Sequence, residues 1–190
     1  MEQVNGSGVR RPARGPGRWR ARLLASVILL LAGGLPAAGE PIEYQVKAAF
    51  LLNFTKFIEW PAAAFATADS PIEICVLGDD PFGGALDQIA GGEVVNGRRI
   101  AARRIDRAPP PKSCAVLFVG RSPKESIRVL PGLGAGVLTV GEGETFIREG
   151  GMIAFVLENR RVRFAINAAA AERAGLKLSS KLLSVAKSVE

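Results

Sequence analysis

Between residues 43 and 60 the chain reads EYQVKAAFLLNFTKFIEW, without Gly or Pro and with Val46, Phe50, Phe54, Phe57 and Ile58 spaced by three and four. That period predicts an amphipathic helix, stopped by Pro61 because proline cannot donate to the helical ladder. After a loop over 62–71, Ile72-Glu73-Ile74-Cys75-Val76-Leu77 is a β-branched apolar run that predicts a strand. Gly78-Asp79-Asp80-Pro81 turns the chain, with Asp80 as N-cap and Pro81 opening a helix that ends at Gly91-Gly92. Asn96-Gly97 marks a turn before a more polar, peripheral strand over 98–105, and Pro109-Pro110-Pro111 reads as an exposed linker.

Residues 114–119 are apolar almost without a break, the pattern of a strand covered on both faces of a parallel sheet. Ser122 and Glu125 stand at capping-box spacing around Pro123, opening a helix that ends near Pro131-Gly132, and 136–140 follows as a short strand. Strands and helices alternate up to this point, which predicts βαβ units. Two apolar runs, 151–157 and 162–166, then flank Glu158-Asn159-Arg160-Arg161, a polar turn in which Asn159 can take a left-handed conformation. Asn167 caps a helix over 168–174 that Gly175 ends, and 179–189 reads as a final amphipathic helix through Leu182, Leu183, Ala186 and Val189. The expected architecture is one Rossmann-like α/β domain, with a mostly parallel sheet and a C-terminal antiparallel hairpin at its edge.

Ahead of this domain, six arginines between Arg10 and Arg22 precede an apolar run over 23–35 and then Pro36-Ala37-Ala38-Gly39. A basic region, a short apolar region and small residues are the layout of a cleaved export signal, with Glu40 the expected mature start. The competing reading, a membrane anchor, asks for about 20 apolar residues, more than this run supplies. No Cys follows the run, which argues against a lipoprotein, and Arg10-Arg11 lacks the context of a twin-arginine signal.

This division changes how the charge is read. The chain has 25 Lys+Arg and 18 Asp+Glu; removing the six arginines and Glu2 of residues 1–39 leaves 19 and 17. The basic pI is thus largely the leader's, and a nucleic-acid partner is not expected of the domain. His is absent from the sequence, which excludes a His general base, Ser-His and Cys-His nucleophiles and imidazole metal ligands. No GxGxxG follows the first strand and no GxxxxGK[ST] occurs, so neither standard nucleotide site is present. No catalytic constellation, metal site or cofactor is expected. Cys75 and Cys114, the two cysteines of the chain, read as one disulfide in an oxidising compartment, against the alternative of two buried thiols.

Three sets of residues invite a binding role. In an open α/β sheet the crevice lies beyond the carboxyl ends of the strands, where Asp79, Asp80, Arg121, Ser122 and Glu142 would meet; there Asp80 and Ser122 also read simply as helix caps, and the Gly141-Glu142-Gly143-Glu144 stretch as a solvated loop. On the first helix Asn53, Lys56, Phe57 and Trp60 accompany an unusually aromatic stripe that can serve as core or as a dimer or partner contact. Arg161 and Arg163 alternate onto the polar face of the hairpin, as a solvated face or an anion contact.

Together, YQVKAAFLLNFTKFIEWP (44–61), ICVLGDDPFG (74–83), CAVLFVG (114–120) and VRFAIN followed by AGLKLSSKLL (162–183) resemble the YfiR family of periplasmic proteins. The resemblance spans nearly all of the mature chain in order. It implies a homodimeric α/β domain that represses a membrane-bound diguanylate cyclase by binding its periplasmic region, lowering cyclic-di-GMP and biofilm formation, with relief by an outer-membrane lipoprotein or redox stress. It also implies a disulfide between Cys75 and Cys114. A second cysteine pair that family members can carry around Gly141 to Met152 has no counterpart here. A periplasmic small-ligand-binding sensory module is the alternative function.

Overall fold

The computed structural model describes residues 41–120 and 128–190; the leader, Arg121, Ser122 and the capping box around Pro123 lie outside them. Helix α1 (Ile42–Lys56) passes into β1 (Ile58–Glu59), so Phe57 and Trp60 lie past its end. Pro61 holds the residue before it extended, and Ile58 and Glu59 pair antiparallel with Leu178 and Lys177. Strand pairing therefore ends the helix earlier than its apolar period predicts.

Strand β2 (Ile72–Leu77) and helix α2 (Gly84–Ala90) follow. The helix begins later than the Asp80-Pro81 signal predicts: Asp80 Oδ1 accepts from Phe82 N at 2.8 Å and closes a turn in front of the helix. Next come β3 (Val94–Val95), β4 (Arg98–Ile105) and β5 (Val116–Val119). Strand β6 (Leu138–Glu142) is displaced toward the C-terminus from the expected 136–140 and leads into α3 (Glu144–Arg148), where a solvated loop was expected. Phe146 and Ile147 are both buried, and the helical turn carries the two neighbours into the core together, which a strand's alternation would not.

Strands β7 (Ile153–Glu158) and β8 (Arg161–Ile166) form the expected hairpin. Asn159 and Arg160 both have positive φ, 49° and 60°, so the connection is a two-residue turn whose twist matches that of the strands. Helix α4 (Ala168–Arg173) is capped by Asn167, whose side chain accepts from Ala170 N at 2.9 Å. After β9 (Lys177–Leu178), helix α5 (Ser180–Val185) stops short of the predicted 179–189, and β10 (Ser188–Val189) lies parallel to β8. Lys187 N donates to Phe164 O at 2.7 Å and Glu190 N to Ile166 O at 2.9 Å, an alternative partnership for backbone that the helix would otherwise satisfy.

The main sheet has eight strands in the order β10-β8-β7-β6-β5-β2-β4-β3, parallel from β4 to β7 and antiparallel at β3/β4 and β7/β8. This is a mixed α/β sheet, mostly parallel, as the alternation of elements predicts. The first parallel strand, β2, has the second, β4, on one side and the third, β5, on the other, which is the flavodoxin-like order with its switch point between β2 and β5. Alternate residues serve two cores. Ile74, Val76, Val116 and Phe118 pack with α1 and α2, while Cys75, Leu77, Leu117 and Val119 pack with Phe146 and Ile147 of α3.

Candidate interaction site

Helix α1 is apolar on more sides than the sheet can cover. Its buried positions include Ala48, Leu51, Leu52, Phe54 and Thr55, whereas the predicted stripe residue Val46 is 39% exposed and Ile42 77% exposed. Phe50 lies between these two sets. Its ring meets that of Phe164 at 5.5 Å and that of Phe155 at 6.1 Å, while Phe54 meets Phe164 edge-on at 5.1 Å and stacks with Phe155 at 5.8 Å. The hairpin register Phe155↔Phe164 and Leu157↔Val162 continues this face toward the turn, where Leu157 is 58% exposed.

Helix α5 closes the other side. Phe50, Asn53, Phe54, Phe57, Phe164, Lys181, Leu182 and Val185 line an open groove of about 320 Å³. Lys181 Nζ stands 5.4 Å above the Phe57 ring, placing a cation at the rim of an otherwise apolar surface. Val185 is 55% exposed there. An apolar floor with isolated polar groups at its margin is the construction of a protein interaction surface rather than of an acid-base site.

Of the residues singled out on the first helix, Asn53 and Phe57 reach this groove. Lys56 instead approaches Glu93 at 3.4 Å, and Trp60 donates its indole N–H to Ala115 O at 3.3 Å, tying the segment after α1 to the start of β5. Arg161 and Arg163 are exposed and alternate onto the opposite face of the hairpin from Phe164.

Of the crevice residues, Asp80 and Glu142 are engaged by other parts of the fold. Gly120 N donates to Leu77 O at 2.8 Å, and a Cβ at Gly120 would stand 2.5 Å from Asp79 O, so the turns after β2 and β5 are in close contact. Asp79 is exposed, while Asp80 accepts from Arg104 Nε at 2.8 Å and Asp87 from Arg104 Nη1 at 2.6 Å. Glu142 accepts from Lys47 Nζ at 2.5 Å. Lys47, 4% exposed, also binds Glu43, and its ammonium lies 4.4 Å over the Tyr44 ring. Burial disfavours that charge, but the hydrogen bonds to Glu142 and Glu43 outweigh it and raise the lysine above its ordinary value. Asp80 and Glu142 thus serve two separate ion clusters that brace the fold.

The expected disulfide is present between Cys75 and Cys114, with Cα atoms 5.8 Å apart. Arg103 Nη2 donates to Ser113 O at 2.7 Å beside it and lies 3.8 and 3.7 Å from the two sulfurs. Among the described residues no helix is long and apolar enough to cross a membrane.

Residues 44–187 match the model of a family described as YfiR/HmsC-like. The chain belongs to the YfiR/HmsC-like family. This is a family of periplasmic regulatory proteins in cyclic-di-GMP signalling, associated with a diguanylate cyclase partner. No curated protein matches the chain. Among solved structures, a conserved domain protein from Vibrio cholerae O1 biovar El Tor str. N16961 is similar at 10% identity and a TM-score of 0.47, over 77% of this chain and 60% of that one. The chain therefore spans less than two thirds of that protein's length.

Sequence reasoning placed Phe50 in the apolar stripe but not among the contact residues, and did not single out Phe164, Lys181 or Val185. The signal available was a surplus: the first helix carries more apolar positions than one buried stripe can use.

Proposed function

We propose that the domain, exported by a leader cleaved before Glu40, acts in the periplasm by binding the periplasmic region of an inner-membrane diguanylate cyclase and holding it inactive, so that cyclic-di-GMP and biofilm formation fall. The proposal includes a homodimer as the working form and relief by an outer-membrane lipoprotein. Family membership supports the signalling context. The observation that carries the reading to a surface is the aromatic groove between α1, β8 and α5, with Val46, Leu157 and Val185 exposed around it.

Val46→Glu and Val185→Glu place a carboxylate where a partner's apolar surface would sit, at positions whose exposure lets the domain keep its fold. In a deletion strain, the parent gene lowers cyclic-di-GMP and biofilm mass, while either variant, exported at equal level and with equal melting temperature, restores neither. Full repression by both variants, or a deletion that leaves cyclic-di-GMP unchanged, overturns the reading.

A further inference from the structure

Strand β8 is paired with β7 along all six of its residues but with β10 only at Ala165 and Ile166. Its outward carbonyls are identified by their donors: Phe164 O accepts from Lys187 N and Ile166 O from Glu190 N. Backbone groups alternate sides with a period of two, so the N–H and C=O of Val162 face the same way. No described strand continues β10 past them. An open strand edge is a template for another strand.

The two faces beside this edge differ in chemistry. Val162 shares its face with Phe164 and continues the apolar surface of the α1 side. Arg161 and Arg163 lie on the other face, both exposed. Glu158 stands opposite Arg161 in register, 3.9 Å from Arg163 and 3.7 Å from Lys187, while Glu144 binds Lys187 at 3.1 Å; with Glu144 on Lys187, Glu158 is left to offset both arginines and the face stays basic.

We propose that this edge is a docking site for an extended segment of a partner protein in which acidic and apolar side chains alternate, the acidic ones toward Arg161 and Arg163 and the apolar ones toward Val162 and the aromatic groove. A second copy of this chain is the wrong occupant. Two-fold antiparallel pairing of β8 with itself sets Arg161 and Arg163 beside their own counterparts on one face, and like charges on adjoining strands oppose pairing. The inference deepens the proposed function, since it rests on this side of the domain receiving a protein partner and names the chemistry of the part that docks.

The test uses the purified protein and the peptide acetyl-Glu-Val-Glu-Val-Glu-Val-Glu-amide. Titration followed by amide NMR shifts Val162 and Phe164 first and slows their hydrogen exchange, with an affinity that falls as salt is raised. The same peptide with Lys for Glu, or with alternate backbone nitrogens methylated, binds about tenfold more weakly or not at all, a loss of about 1.4 kcal/mol or more. Val162→Pro has the same effect, because it removes an N–H that the β7 ladder does not use and leaves that ladder intact. Should that variant fail to fold, Arg161→Glu/Arg163→Glu supplies the reversal instead, losing the Glu peptide and gaining the Lys peptide. Equal binding of both peptides, or shifts confined to other residues, overturns the proposal and leaves the arginines as guards against edge pairing. The cyclase takes no part in this experiment. Failure here with repression intact removes strand docking alone, and binding here without repression in cells removes the regulatory reading alone.

Discussion

Removing the covalent bond between Cys75 and Cys114 has a calculable effect. The sequence separation is 39. For a loop of that length the chain-entropy relation gives about −13 cal/mol/K for the constraint on the unfolded chain, or about 4 kcal/mol at 25 °C. Both sulfurs lie in the core between the sheet and α3, with Cys75 0% and Cys114 2% exposed, so Cys75→Ala/Cys114→Ala adds only a small cavity term to the loop term. In a domain of this size the change corresponds to a fall in melting temperature of about 8–16 °C. The chain's two tryptophans are Trp19 and Trp60, so a protein of residues 40–190 carries Trp60 alone. Its indole is bonded to Ala115 O, next to Cys114 in the chain. Urea unfolding followed by tryptophan fluorescence therefore reads the affected region directly. A second readout comes from burial: in native buffer dithiothreitol reduces the bond only through opening of the structure, and the rate rises with added urea. A double variant within about 1 kcal/mol of the parent refutes the loop argument, and rapid reduction without urea refutes the burial argument.

Two further expectations concern the frame of the site. Lys47→Met lowers stability by about 1–2 kcal/mol at pH 8, because it removes charge-assisted hydrogen bonds to Glu43 and Glu142. The lysine is raised above its ordinary 10.5, so its contribution is fully present below that pH and is lost as pH rises through the folded value. Urea midpoints of parent and variant run parallel from pH 7 to 10 and converge above; a gap that widens in alkali contradicts the assignment. Gly151→Ala puts a Cβ 2.1 Å from a Phe146 ring carbon, and the overpacking costs about 2–3 kcal/mol. Thermal unfolding by circular dichroism checks it, and an unchanged melting temperature shows that Phe146 can move away.

The parts of the fold that sequence reading captured are those whose signals are local. For β2, a β-branched run closed by Gly78-Asp79-Asp80, and for β4, a segment introduced by Asn96-Gly97, the predicted and observed bounds coincide. Asn159 in the hairpin turn and Asn167 at the cap act through backbone geometry and short-range hydrogen bonds, which are also written locally. By contrast β1, β3, β9 and β10 have two residues each and exist through their partners. Lys177 and Leu178 carry no strand pattern of their own; they are extended because Ile58 and Glu59 lie opposite. The same cause separates the observed end of α5 from the predicted one, since the outward carbonyls of Phe164 and Ile166 take up residues 187–190.

The candidate site shows where periodicity loses its power to discriminate. In α1 the predicted stripe Val46, Phe50, Phe54 was legible as helix, yet a helix apolar on most sides offers more than one face to the core. The core covers Ala48, Leu51 and Leu52 completely or nearly so, leaving Val46 and part of Phe50 outside. Spacing could not say which stripe would be left over; only the positions of Phe155, Phe164 and α5 decide it. Two of the crevice residues, Asp80 and Glu142, are taken up by the fold for a related reason. Asp80 and Glu142 stand at the carboxyl ends of strands as the topology requires, but Arg104 and Lys47, from β4 and α1, reach them first. An acidic residue at a strand end is a binding group only if no cation of the fold arrives there, and that is a property of the assembled structure. What is left unpartnered is instead apolar: a surplus face on α1 continuous with an open, arginine-flanked strand edge. A chain that must recognise another protein has reason to retain both, because each is a liability in isolation.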